Sequence, residues 1–150
     1  MRKSSVKYAS YDRPRKCADV LPNAIALVVG SPYITGATAP AVATEREHQR
    51  QMLAFLYSTP AYRRTLELFG WAELGERLQR MTRESRWDEL STLVTDEVLD
   101  ALVPQGTYEE LPAVIDRWFG KIATGVLIPP PRDPADDPAV AELIRAVHTI

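Results

Sequence analysis

The chain has 150 residues, 45% hydrophobic, 25% charged and 8% aromatic, the profile of one folded domain rather than a disordered chain. A net charge of −2 excludes nucleic-acid binding by bulk electrostatics. The single cysteine, Cys17, excludes an intrachain disulfide framework or a multi-cysteine zinc site, and His48 and His148 lie too far apart to write a local metal cluster.

Charge is uneven along the chain. Residues 1–75 hold ten Lys/Arg against six Asp/Glu, and residues 76–150 hold eight against fourteen. Much of the excess is in Arg2, Lys3, Lys7, Arg13, Arg15 and Lys16. Residues 1–22 form a basic segment poor in large apolar groups, which reads as a solvated terminus rather than an arm on phosphates. The longest apolar run, Ala24 to Val29, falls far short of the roughly 20 residues of a membrane helix. No signal-peptide pattern follows the basic start. The expected setting is a reducing cytoplasm, without membrane or nucleic-acid partners.

Ile25 to Val29 is continuous and β-branched, the pattern of a strand covered on both faces in a parallel sheet. Gly30 and Pro32 interrupt it, and Tyr33-Ile34-Thr35 extends it towards Gly36. Ala41 to Tyr57 has helical spacing. Ser58-Thr59-Pro60 stops and restarts the helix, with Thr59 as N-cap and Pro60 in the first turn. Tyr62, Leu66 and Phe69 then share a face, and Gly70 suits a left-handed C-terminal cap. A further helix carries Trp71, Leu74, Leu78 and Met81. Another amphipathic stretch carries Trp87, Leu90, Leu93, Val94, Val98 and Leu99, ending near Val103-Pro104.

Thr107 and Glu110 form a capping-box pattern that should open a helix. Leu111, Val114, Ile115, Trp118 and Phe119 make its buried face, and Pro112 should distort its first turn. The second strand is Thr124 to Ile128, closed by three prolines. A linker from Asp133 to Pro138 follows, then a last helix capped by Asp137 with Leu143, Ile144 and Val147 inward. The order is α/β, mainly helical with two parallel strands. Two strands are too few for a sheet covered on both faces, so this pattern asks for neighbours the chain does not supply.

No local constellation writes an active site. Glu45, Glu47 and His48 read as a solvated helix face, and Asp96, Glu97 and Asp100 as adjacent carboxylates facing water rather than a cation site. Gly30, Gly36 and Gly70 compose no nucleotide fingerprint, and Cys17 has no activating neighbour. Trp71, Trp87 and Trp118 fall on apolar stripes, so core packing is expected. No metal site is expected.

Several runs together resemble the carboxy-terminal part of luciferase-like oxidoreductases, in the coenzyme F420-dependent LLM class. These are Leu27-Val28-Val29-Gly30, Ile34-Thr35-Gly36, the run from Ala54 to Arg63 with Ser58-Thr59-Pro60-Ala61-Tyr62, and Leu66 to Trp71. Downstream stand Trp87-Asp88-Glu89-Leu90, Thr95 to Asp100 and Gly106-Thr107. The resemblance implies that residues 23–150 are the C-terminal fragment of a (β/α)8 TIM barrel, holding its seventh and eighth strands and the helices between. A whole barrel takes about 250 residues, so the first six strands are absent.

By the same resemblance, the parent reaction is F420- or FMN-dependent hydride transfer or monooxygenation of a small-molecule substrate. No catalytic residue carries over. Pocket-wall positions would be Tyr33 and Thr35 at a strand end, and Ser58, Thr59 and Tyr62 at the helix break. Thr59 is otherwise an ordinary N-cap, and Tyr62 a core or interface aromatic. The expectation is a truncated chain, inactive alone and binding no cofactor tightly. The alternative is a small helical interaction or oligomerisation protein, a homo-oligomer without catalysis.

Overall fold

Thr38 begins the longest helix by accepting a hydrogen bond on Oγ1 from the Ala41 N–H at 3.3 Å, with Pro40 in the first turn, where no backbone donor is needed. That helix, α1, runs Ala39–Tyr57. The structure, a computed structural model, describes residues 27–148. Residues 1–22 and the predicted strand start at Ala24–Ala26 lie outside the described residues.

Two short strands, β1 (Val28–Gly30) and β2 (Ile34–Gly36), precede α1. A 3-10 turn at Pro60–Tyr62 leads into α2 (Arg63–Leu68) and α3 (Ala72–Arg83). A 3-10 stretch at Trp87–Leu93 precedes α4 (Asp96–Leu102). Then come β3 (Gln105–Thr107), α5 (Leu111–Phe119), β4 (Gly125–Leu127) and α6 (Asp137–Val147). The strands form two parallel pairs. β1 lies beside β4 with Val28 opposite Gly125 and Gly30 opposite Leu127. β2 lies beside β3 with Ile34 opposite Gln105 and Gly36 opposite Thr107. The fold is therefore mainly helical with short parallel strands.

The extra strand pair corrects the expectation of two strands. Gly106-Thr107 was expected to enter a helix and instead pairs with β2. The capping box forms, but it closes a turn. Glu110 Oε2 accepts from the Thr107 N–H at 2.9 Å, and α5 starts only at Leu111. Pro112 thereby falls in the first turn of α5 and distorts nothing. At the last helix the cap also moves. Asp136 is the N-cap without a side-chain bond, and Asp133 accepts from Ala135 N–H to cap the 3-10 turn at Pro134–Asp136.

Two apolar clusters hold the fold. The first gathers Leu53 and Ala54 of α1 with Leu66, Leu78, Leu90, Leu99 and Val103. The second gathers Tyr108, Leu111, Ile115, Val140 and Leu143, with Val126 and Ile128 packed against it. The start of β2 serves both. Successive strand side chains point to opposite faces, so Ile34 enters the first cluster and Tyr33 the second.

The sheet formed by β1 and β4 departs from its sequence pattern. Val126 and Ile128 face the helices, and alternation turns Leu127 the other way. Leu127 is 62% exposed and Val28 57%. The strand expected to be covered on both faces is covered on one. The tryptophan expectation also changes: Trp87 is 49% exposed, against Phe55 at 6.2 Å between ring centroids, and Trp71 and Trp118 are only half-buried. Ile144, expected inward, is exposed.

Candidate functional site

In parallel β/α architectures, chemistry gathers where strands end. Beyond β1 the chain passes through Ser31 and Pro32 to Tyr33, and beyond β4 through three prolines to Arg132. Arg132 reaches back to α1, where its Nε donates to Glu45 Oε2 at 2.5 Å and its second nitrogen to Oε1 at 3.2 Å. Gln49 Nε2 donates to Glu45 Oε1 at 2.8 Å. The Tyr108 hydroxyl donates to Asp136 at 3.3 Å.

Glu45 is held deep for a carboxylate, its side chain 12% exposed. Burial pushes its pKa up, but the bonds from Arg132 and Gln49 outweigh burial and hold it below the ordinary carboxylate value. Burial raises the Tyr108 hydroxyl, and the Asp136 and Glu45 carboxylates raise it further. The Tyr33 hydroxyl is raised by burial. Tyr33 Oη and Thr35 Oγ1 are buried with no hydrogen-bond partner among the described residues. Each such orphan costs on the order of 1–3 kcal/mol.

The five predicted pocket-wall residues fall into two groups. Thr35 lies in β2 and Tyr33 immediately before it, Tyr33 within the second cluster. Ser58, Thr59 and Tyr62 lie beyond the far end of α1, a helix roughly 28 Å long at about 1.5 Å per residue. Ser58 is buried and its hydroxyl donates to the Phe55 carbonyl at 2.7 Å. Thr59 is exposed and occupies the N-cap position, but its side chain makes no capping bond. Tyr62 is exposed and meets Tyr57 edge-on at 6.4 Å.

Glu45 corrects the reading of residues 45–48 as a solvated face. Its partner Arg132 lies 87 positions away, so spacing along the chain gave no sign of it. A second network was also missed. Arg46 bridges Asp100 at 2.7 Å and Asp96 at 3.2 Å, and bonds Gln105. Arg50 bridges Asp96 at 2.5 Å and Glu47 at 3.0 Å, and bonds the Val94 carbonyl. The two arginines are one helical turn apart, which is the signal available in sequence. Asp96 and Asp100 remain exposed, as expected, but as partners of half-buried arginines. Hydrogen bonds from Arg50 and Arg46 lower Asp96, and those from Gln105 and Arg46 lower Asp100. The network ties α1 to α4 and β3.

Among the described residues, no group of three or more His, Cys, Asp and Glu side chains could hold a metal ion. No described helix is long and apolar enough to cross a membrane. A groove of about 510 Å³ lies between α5, β4 and α6. Ile115, Phe119, Val126, Leu127, Ile144 and Val147 supply most of its apolar lining.

No family model matches the chain, and no solved structure matches it significantly. It is similar to uncharacterized proteins of Mycobacterium bovis and of two strains of Mycobacterium tuberculosis, 35% identical over 77 residues. The matched stretch covers 51% of this chain but only 23% of each relative, so the mycobacterial proteins are much longer than the part they share with it.

Proposed function

We propose that the chain is a section of a luciferase-like (β/α)8-barrel oxidoreductase of the F420- or FMN-dependent kind, and that alone it holds no cofactor tightly and turns nothing over. The observation behind this reading is the pairing of β1 with β4. Strands from opposite ends of the described chain lie parallel and adjacent, with the helical excursion between them. Helices cover one face, and Val28 and Leu127 stand bare on the other. In a closed barrel that second face would line the filled interior. The runs from Ala54 to Arg63 and from Thr95 to Asp100 add the family resemblance, and the greater length of the mycobacterial relatives accords with a partial barrel.

The residues present fit one edge of such a cofactor and not the whole of it. Tyr33 and Thr35 offer two buried, unpartnered hydroxyls, suited to the wall of a polar ring. Arg132, the cation after β4, is taken up by Glu45 rather than offered to a phosphate. The parent chemistry is hydride transfer or monooxygenation of a small molecule, in the cytoplasm, and no step of it is assigned to this chain. A second reading, a non-catalytic oligomerisation protein, is favoured by the exposed Val28 and Leu127.

Calorimetric titration with F420 and with FMN tests the first reading. The chain alone is expected to show no stoichiometric micromolar binding. Joined to strand–helix units one to six of a luciferase-like enzyme, it is expected to give a folded barrel that binds one of the two. Tight binding by the chain alone, or a folded fusion that binds neither, overturns it.

A further inference from the structure

Between β4 and α6 the chain reads Pro129-Pro130-Pro131-Arg132-Asp133-Pro134-Ala135-Asp136, without one large apolar side chain. Most of this segment is exposed, with Pro131 and Asp136 half-buried. Its prolines carry no N–H to bond to the rest of the fold. The backbone bonds it makes are local: Asp136 N–H to the Asp133 carbonyl at 3.0 Å, and Asp137 N–H to the Pro134 carbonyl. Among the described residues, hydrogen bonds tie the segment to earlier parts of the chain through side chains alone, Arg132 to Glu45 of α1 and Asp136 to Tyr108. Glu45 comes after β2, Tyr108 after β3 and the segment after β4, so it links the chain leaving three strands. Its partners lie beneath it. The Glu45 side chain is 12% exposed against 64% for Arg132, and Tyr108 is 8% exposed.

We propose that residues 129–136 are a strap, latched by the Arg132–Glu45 pair, that opens as a unit and uncovers Glu45 and Tyr108. The latch is weak. A partly exposed ion pair stabilises little and is screened by salt, and 3.3 Å is long for a hydrogen bond between two oxygens. Together the two ties favour the closed strap by roughly ten- to a hundredfold, so an open form is always populated. The segment is also stiff. Three consecutive prolines hold an extended arm, and Asp133 caps the turn after it by accepting from the Ala135 N–H at 2.9 Å. A stiff piece without apolar anchors swings whole rather than fraying. Closed, Arg132 fills the Glu45 carboxylate. Open, that carboxylate, the Gln49 amide beside it and the Tyr108 hydroxyl are free to meet a polar ligand, at the place where β/α folds bind them. The inference goes beyond the oxidoreductase reading and does not depend on it: it needs the strap and its two ties, not a barrel around them.

Trypsin cutting after Arg132 reads the open population, because a protease takes only extended, released chain. The full chain is compared with a free peptide of residues 127–138, and cuts after Arg77 and Arg80 in α3 report the rest of the fold. The intact chain is expected to be cut after Arg132 about tenfold or more slowly than the peptide. Raising salt from about 0.05 to 0.5 M should narrow that gap about threefold in the intact chain and leave it unchanged in Glu45→Gln. Glu45→Gln and Tyr108→Phe should each narrow it by a similar factor, with the α3 cuts unmoved. In Arg132→Ala, carbodiimide coupling of an amine to Glu45, read by mass spectrometry, should run severalfold faster than in the intact chain. Cleavage as fast as in the peptide, a gap indifferent to both salt and Glu45→Gln, or α3 cuts that rise in step with it overturns the proposal. So does Glu45 labelling that Arg132→Ala leaves unchanged.

Discussion

The two apolar clusters are built to different standards of closure. The first is ringed by α1, α3, α4 and the 3-10 stretch at Trp87–Leu93, and Leu66, Leu78, Leu99 and Val103 are wholly buried in it. Arg46 and Arg50 lock its rim through Asp96 and Asp100. The second cluster lies under α5 and α6, and the β1–β4 pair beside it shows large aliphatic groups to solvent. Helices close on one another through side chains alone. A parallel sheet is usually covered on both faces, so a two-stranded pair stays open where a cluster of helices can close by itself.

Paired truncations should break or uphold that contrast most clearly. Leu99→Ala, deep in the first cluster, is expected to cost about 3 kcal/mol in urea unfolding. Leu127→Ala, on the open face, should cost well under 1 kcal/mol at protein concentrations where any association is absent. Equal losses would erase the distinction between the two regions.

Acid should sharpen it next. The carboxylates of Glu45, Asp96 and Asp100 are all lowered on folding. A lowered carboxylate contributes stability that is present above its unfolded value, near 4, and is lost as pH falls through the lower folded value. Stability should therefore be flat from pH 7 to about 5 and decline below about 4. Glu45→Gln should remove part of that decline, about 1 kcal/mol or less because half-exposed pairs are screened. A decline unchanged in Glu45→Gln would show that the Arg132 contact contributes nothing.

The smallest expected effect compares two helix ends within the first region. After α2, Gly70 takes φ +78°, and the Trp71 N–H donates to the Leu66 carbonyl at 2.8 Å. After α3, Ser85 takes φ +59°, and the Arg86 N–H donates to the Met81 carbonyl at 2.9 Å. Both are left-handed terminations that favour glycine. Ser85→Gly should stabilise by about 0.5 kcal/mol, and Gly70→Ala should destabilise by about 1 kcal/mol. Thermal melts of the two variants should move in opposite directions.

What sequence made legible was local. Gly70 and the Thr107–Glu110 pair act within a few residues of themselves, and each forms, though the second closes a turn rather than a helix; Thr38 with Pro40, which opens α1, passed unread. The two strands themselves were legible from β-branched composition and the proline stops, whereas their parallel partnership was expected only from the family resemblance. What stayed hidden was long-range. β3 has no strand composition, for Gln105-Gly106-Thr107 is extended because β2 lies beside it. Glu45 is largely withdrawn from solvent, paired with Arg132, which returns to it from the far end of the chain. Trp87 sits on an apolar stripe, but the segment winds as a 3-10 helix and its indole stays outside. Of the candidate site, Tyr33 and Thr35 were legible as extended chain, but they belong to the start of a separate strand paired with β3 rather than to the end of the first strand. Their separation from Ser58, Thr59 and Tyr62 follows from the length of α1, which spacing alone did not turn into distance.

At the start of β2 two neighbouring residues anchor different halves, Ile34 in the first cluster and Tyr33, just before the strand, in the second. One extra residue inserted just after β2 would leave both anchors in place and disturb only the lead into α1. The same insertion between Tyr33 and Ile34 would make the two anchors compete for one side, uncoupling the halves.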